Sequence, residues 1–318
     1  MTRIALLFPG QGAQKPGMGE DVARNFDEAA DVFAEANDAL GLDLQRLCFE
    51  GPQEDLNRTD VSQPAILAVS IAVLRAVEKH VAPLDELDIV GAAGLSLGEY
   101  SALVGAGSLR FSDAVRLVQK RGAFMQEACD ARPGTMYSII GLEDDEVESV
   151  CERVRNETGN GVWPANYNSP GQLVISGEEE AAGRVAELCD EKGARRTIQL
   201  RVAGAFHTDM MEPAARKLSE ELENTEFGEQ AFPVVANAVA RPAEDPAEVP
   251  ALLTRQVHNP VRWKESMQWL IERGAQKFYE IGPGRVLRGL LRRIDRGVEC
   301  MSVGSASDVR KMAEDLEA

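Results

Sequence analysis

Only five cysteines occur in 318 residues, and no two of them stand at a C-x-x-C spacing or beside a histidine. Cys48, Cys129, Cys151, Cys189 and Cys300 therefore suggest neither a disulfide framework nor a zinc site, and a reducing compartment suits them. Long apolar runs are also missing. Stretches such as AILAVSIAVL, from Ala65 to Leu74, fall well short of the roughly 20 residues a membrane span needs. The opening MTRIALLFPG lacks the layout of a signal peptide, so a cytoplasmic protein without a membrane segment is expected. Positive charge is scarce: 34 Lys and Arg face 52 Asp and Glu, a net charge of −18. Such a field repels nucleic-acid phosphates and argues against that partner. The acidity suits a salt-rich cytoplasm and an ordinary acidic surface equally well. No internal repeat or low-complexity segment is present.

What is there is ample for a folded core. With 44% hydrophobic residues the chain can bury a sizeable interior, and its length suggests about two domains. RIALLFPGQG reads as a strand stopped at Pro9 and Gly10, followed by helical spacing through EDVARNFDEAADVFAEANDAL. A helix is expected from Gln63 to His80, then a strand, LDIVGAAGLS, then helices from Leu97 and over FSDAVRLVQKRGAFMQEAC. Residues 133–201 change pattern to the order βαββαβ, a ferredoxin-like unit. It reads as an insertion, dividing the core into 1–132 and 202–318. After it come a helix at Met211–Asn224, a strand at FPVVANA, a polar loop, a helix at Val261–Arg273, a strand at QKFYEIG and a helix at RVLRGLLRRIDR.

The chemistry centres on GAAGLSLGEYSALV, which places Ser96 between Gly94 and Gly98 at a strand-to-helix turn. A G-x-S-x-G pentapeptide in that context presents its hydroxyl outside the sheet. Serine needs a base, and the chain has only His80, His207 and His258 to offer. His207, in the loop where the chain leaves the insertion, is preferred; a core or helix-start histidine is the other reading. The order Ser then His suits a parallel sheet of α/β-hydrolase type. The backbone N–H of Leu97, just after the nucleophile, is a natural oxyanion donor. GQG near the N-terminus does not make a dinucleotide loop, because Lys15 stands where the third glycine would be.

FPGQGAQ, GLSLGEYSALV, QKRGAFMQEA, NYNSPGQLVISG, GAFHT, RQVHNPVRW and YEIGPGRVL occur in that order along nearly the whole chain. Together they resemble the malonyl-CoA:acyl carrier protein transacylase family. The resemblance implies a hydrolase-like core with a ferredoxin-like insertion. It implies Ser96 as nucleophile, His207 as base and the N–H groups of Gln11 and Leu97 as oxyanion hole. It further assigns Arg121 to the free carboxylate of the malonyl group, a task suited to a guanidinium fork. The main-chain carbonyl of Gln256 would orient His207, while Asn166 and Phe206 would line the acyl site, Phe206 in a malonyl-selective pattern. No metal or redox cofactor is required, with malonyl-CoA as substrate and acyl carrier protein as acceptor.

Three positions depart from the family's pattern. Leu95 stands where histidine usually precedes the nucleophile, Ala13 replaces a serine, and Ala203 a small polar residue. An acidic carrier protein should be repelled by a charge of −18 unless positive groups are gathered locally. Arg285, Arg288, Arg292 and Arg296 recur at spacings of three and four on the last helix read, a candidate docking stripe. A free-standing monomer in fatty acid biosynthesis is the expectation. Malonyl supply for polyketides, a serine thioesterase or esterase, and a non-catalytic carrier-binding module are the alternatives.

Overall fold

The computed structural model describes residues 2–317, leaving Met1 and Ala318 of the expected core outside it. Its ten strands are β1 (Ile4–Phe8), β2 (Ile89–Gly94), β3 (Thr135–Ile140), β4 (Val162–Ser169), β5 (Gln172–Gly177), β6 (Arg196–Gln199), β7 (Val234–Ala236), β8 (Arg241–Pro242), β9 (Lys277–Ile281) and β10 (Glu299–Val303). Six of them form one sheet in the order β10-β9-β1-β2-β7-β8. All neighbours in it pair in parallel except the short edge strand β8. Helices cover both faces, so the central strand β1 reads as an unbroken apolar run, IALLF, with every residue fully buried. Ile4, Leu6 and Phe8 enter one core cluster, and Ala5 and Leu7 the other.

The second sheet is small and antiparallel, with the order β4-β5-β3-β6 expected of a ferredoxin-like βαββαβ unit. Its two helices, Asp144–Thr158 and Glu179–Glu191, enclose a separate core of Ile139, Val150, Val154, Leu173, Ile175 and Val185. One backbone ladder seats this unit on the main sheet. Tyr167 N–H donates to Val261 O at 2.9 Å, Val261 N–H to Ala165 O at 2.8 Å, and Arg262 N–H to Asn237 O at 3.0 Å.

Several local readings are corrected. The first helical segment is broken at Phe26, which is extended (φ −139°) and tucks its ring against His80, with 4.5 Å between ring centroids. The polar loop after β8 contains a helix, Val249–His258. Its proline lies in the first turn, where the missing N–H costs no intrahelical bond. The helix expected from Gln63 begins at Thr59 and runs 22 residues to His80. By length and hydropathy it could cross a membrane, contrary to the reading of its apolar run; in the fold 89% of its most apolar window is buried in protein. The arginine-rich helix spans only Val286–Ile294, and β10 and the helix Ala306–Glu317 follow it.

Candidate active site

β2 runs at Gly94 into a tight turn, and the helix Gly98–Gly105 begins two residues after Ser96. Both glycines are required by close approach. A Cβ on Gly94 would collide with the backbone of Gly98, and one on Gly98 with the carbonyl oxygen of Phe8. Ser96 itself has φ +51°, a left-handed conformation that a non-glycine residue holds only when its surroundings impose it. Asn237, just past β7, imposes it. Its Oδ1 accepts from Ser96 N–H at 2.7 Å, and its Nδ2 donates to Gly94 O at 2.8 Å.

His207 is 4% exposed and is also held at positive φ, +60°. Its Nδ1 lies 2.8 Å from the carbonyl oxygen of Gln256, and its Nε2 lies 2.9 Å from Ser96 Oγ. A carbonyl oxygen only accepts, so the proton sits on Nδ1 and Nε2 is free to accept from the serine hydroxyl. Gln256 lies near the end of the helix Val249–His258, the element that the sequence reading took for loop.

Arg121 reaches the same hydroxyl from the helix Phe111–Ala131 and is 1% exposed. It donates from Nη2 to Ser96 Oγ at 3.0 Å and to Gln256 Oε1 at 2.9 Å, and from Nη1 to Gln63 Oε1 at 2.7 Å. Its Nε has no partner among the described residues. The His207 imidazole and the buried Arg121 guanidinium thus meet on the Ser96 hydroxyl oxygen.

The model of the acyl transferase domain family matches residues 5–316. The chain belongs to the acyl transferase family. Among its relatives, the malonyl CoA-acyl carrier protein transacylase of Salmonella typhimurium is 44% identical over 92% of this chain and 93% of that one. The transacylase of the same name from Bacillus subtilis is 42% identical over 100% of this chain and 98% of its own. The transacylase structure from Coxiella burnetii superposes with a TM-score of 0.95 at 36% identity, covering 100% of this chain and 98% of that one. A malonyl-transacylase solved in complex with a type II polyketide acyl-carrier protein superposes at 0.93 with 43% identity, covering 99% of this chain and 100% of that one.

In this acyl transferase the electrostatics of the site follow from burial. Desolvation, followed by the nearby Arg121 charge, pushes the His207 imidazole down to about 4, so the ring is neutral at physiological pH. Burial likewise lowers Arg121 from its ordinary value and raises the neighbouring Tyr100 phenol. The loop after β1 lies against the elbow, where a Cβ on Gly10 would strike Leu95 O. The backbone N–H groups of Gln11 and Leu97 find no protein acceptor among the described residues. The N–H of Ser96 is already committed to Asn237.

Not every residue expected at the site joins this network. Asn166 is 8% exposed in β4, opposite Val174 and beside Val261, and no hydrogen bond ties its side chain to Ser96, His207 or Arg121. Phe206, 5% exposed, packs into the main core beside His207. Leu95 is half-buried against the cluster that holds Val261 and Trp263 on the other face of the sheet. The arginine stripe is shorter than expected: Arg285 precedes the helix without capping it, and Arg296 lies beyond its end. Arg288, Arg292 and Arg296 share one groove, while Arg285 faces another with Lys15 and Lys311.

Three residues of the network were not singled out from the sequence. Gln63 stands out only as a polar residue inside an apolar helix, and Glu99 only as the acid following the pentapeptide. Asn237 carries no sequence signal, since its partners Gly94 and Ser96 lie more than a hundred residues away.

Proposed function

We propose that this acyl transferase moves the malonyl group of malonyl-CoA to the phosphopantetheine thiol of acyl carrier protein through a malonyl-Ser96 ester. The buried Arg121 guanidinium at the nucleophile carries the reading. Such a cation has no use for an acetyl group, whereas a carboxylate would supply the partner its Nε lacks. In the first step His207 Nε2 takes the Ser96 proton as Oγ attacks the thioester carbon. The oxyanion would be held by the N–H groups of Gln11 and Leu97. The C–S bond then breaks, and CoA leaves with the proton from His207. In the second step the carrier thiol gives its proton to His207 and attacks the ester, the C–O bond breaks, and Oγ regains the proton. Exchange between thioester and ester is redox-neutral, so the proposal calls on no metal or redox cofactor. Asn166 and Phe206 are assigned to the surroundings of the acyl group.

Arg288, Arg292 and Arg296 are proposed to receive the acidic carrier protein, with Arg285 beside them. All four are exposed, and none is ion-paired with an acidic side chain of this chain among the described residues. A monomeric cytoplasmic enzyme, with residues 133–201 as an inserted subdomain, completes the reading.

Intact-mass measurement after mixing with malonyl-CoA tests the transfer. A malonyl adduct that is absent in Ser96→Ala supports it, and Arg121→Ala should reduce malonyl loading at least tenfold more than acetyl loading, equivalent to about 1.4 kcal/mol of discrimination. Release of free malonate without carrier protein would instead indicate a hydrolase. No adduct or turnover with any acyl-CoA would leave a binding module.

A further inference from the structure

Among the described residues Glu99 is the one carboxylate built into this site, and the two-step exchange above makes no use of it. It lies on the helix Gly98–Gly105 and is 2% exposed. Its Oε2 accepts from Gln256 Nε2 at 2.8 Å and from Asn237 N–H at 2.9 Å. These two residues hold the rest of the site: the Asn237 side chain grips the elbow, and Gln256 reaches Arg121 and the carbonyl oxygen of Ser96 with its amide and His207 with its main-chain carbonyl.

Arg121 accordingly connects to a negative charge through a single amide. Its Nη2 donates to Gln256 Oε1, and the other end of that amide donates to Glu99. Its direct acceptors, Gln63, Gln256 and Ser96, are all neutral. A buried cation is costly without a compensating charge, and the same low dielectric makes two anions competing for one cation repel.

We propose that Glu99 is the resident counter-charge of Arg121, and that the carboxylate of an incoming malonyl group displaces it electrostatically, so that malonyl binding drives uptake of a proton by Glu99. The inference rests on the reading of Arg121 as the malonyl clamp. When the malonyl carboxylate pairs with Arg121, the site would hold two negative charges for one positive. Protonating Glu99 with one proton from solvent restores the balance, and the protonated acid still accepts from Gln256 and Asn237 through Oε2. Acetyl groups bring no charge and leave Glu99 ionised. Glu99 is thus a positioning residue that sets how tightly a diacid is held.

The surroundings fit that role. Desolvation raises the Glu99 carboxyl to about 7 against the lowering pull of its two hydrogen bonds and of Arg121. The other titratable groups facing it are Arg121, the Tyr100 phenol raised by burial, and, through Gln256, the His207 imidazole lowered to about 4. None of these takes up a proton near pH 8.

The test is calorimetric binding of malonyl-CoA to Ser96→Ala at pH 8 in two buffers of different ionisation heat. Uptake of about half a proton or more per site is expected with malonyl-CoA and none with acetyl-CoA. The parent enzyme should show a malonyl-CoA KM that rises several-fold between pH 7 and 9, and Glu99→Gln, which keeps the oxygen facing Gln256 and Asn237, should flatten that rise. Equal observed binding heats in the two buffers, or the same KM profile in both proteins, overturn the role of Glu99 while leaving malonyl transfer intact. If the parent enzyme forms no malonyl adduct, the transfer reading fails and this inference with it. The calorimetry needs no Glu99 variant, so poor folding of Glu99→Gln does not shield the idea.

Discussion

Ser96 and His207 both sit at positive φ, which two non-glycine residues sustain only because Asn237 and the Gln256 carbonyl hold them there. Their pairing has a pH consequence. An imidazole lowered to about 4 stays a competent base well below the ordinary histidine range. The single-turnover rate of Ser96 acylation should therefore show no acid-side inflection between pH 7 and 5. An inflection near the ordinary value of 6.5 would mean that the imidazole is solvated. Stability has the matching sign. The unfolded chain binds more protons than the folded one between about pH 6.5 and 4, so His207 destabilises the fold as pH falls through that window. Glu99 acts oppositely: its raised carboxyl contributes stability at low pH that is lost as pH rises toward 7. At this scale the pentapeptide made Ser96 legible. Asn237 was not, because its role exists only once β7 lies beside β2.

Elements bring these residues together by capping and packing as much as by periodicity. Glu280, fully buried in β9, accepts from Leu287 N–H at 2.9 Å, from Arg288 N–H at 3.1 Å and from Ser302 Oγ at 2.9 Å. One carboxylate thus caps the arginine-rich helix and ties it to β10. Glu280→Gln would point an amide donor at one of those N–H or O–H groups and should cost on the order of 1–3 kcal/mol. Urea unfolding of the parent and the variant measures it; equal midpoints and slopes would show that the cap is dispensable. The helix Val249–His258 escaped sequence reading because Pro250, and Pro246 in the turn before it, resemble loop punctuation, though each falls where a helix start tolerates it. The break at Phe26 is likewise decided by packing on His80 rather than by propensity.

The whole molecule carries −18 charges yet leaves Arg288, Arg292 and Arg296 together in one groove. Steering of an acidic carrier by such a patch is strongest at low salt and fades as the screening length shortens toward about 8 Å at physiological ionic strength. Reversing Arg288 and Arg292 to Glu should raise the KM for acyl carrier protein several-fold at low salt and leave malonyl-CoA loading near parental. An unchanged carrier KM would reject the docking stripe. Sequence alone was enough for the parallel core, the inserted ferredoxin-like order and the strand-turn-helix at Ser96, because period, turn chemistry and glycine spacing are local properties. It also carried the resemblance to the family. Tertiary structure decided that the helix Thr59–His80 is core rather than a span, that the arginine stripe splits at Arg285, and that Asn237 holds Ser96 while Glu99 and Gln63 join its network through Gln256 and Arg121. Those outcomes depend on what lies across the fold from each residue. Burial, charge pairing and hydrogen-bond partners are set by neighbours in space, and no spacing along the chain encodes them.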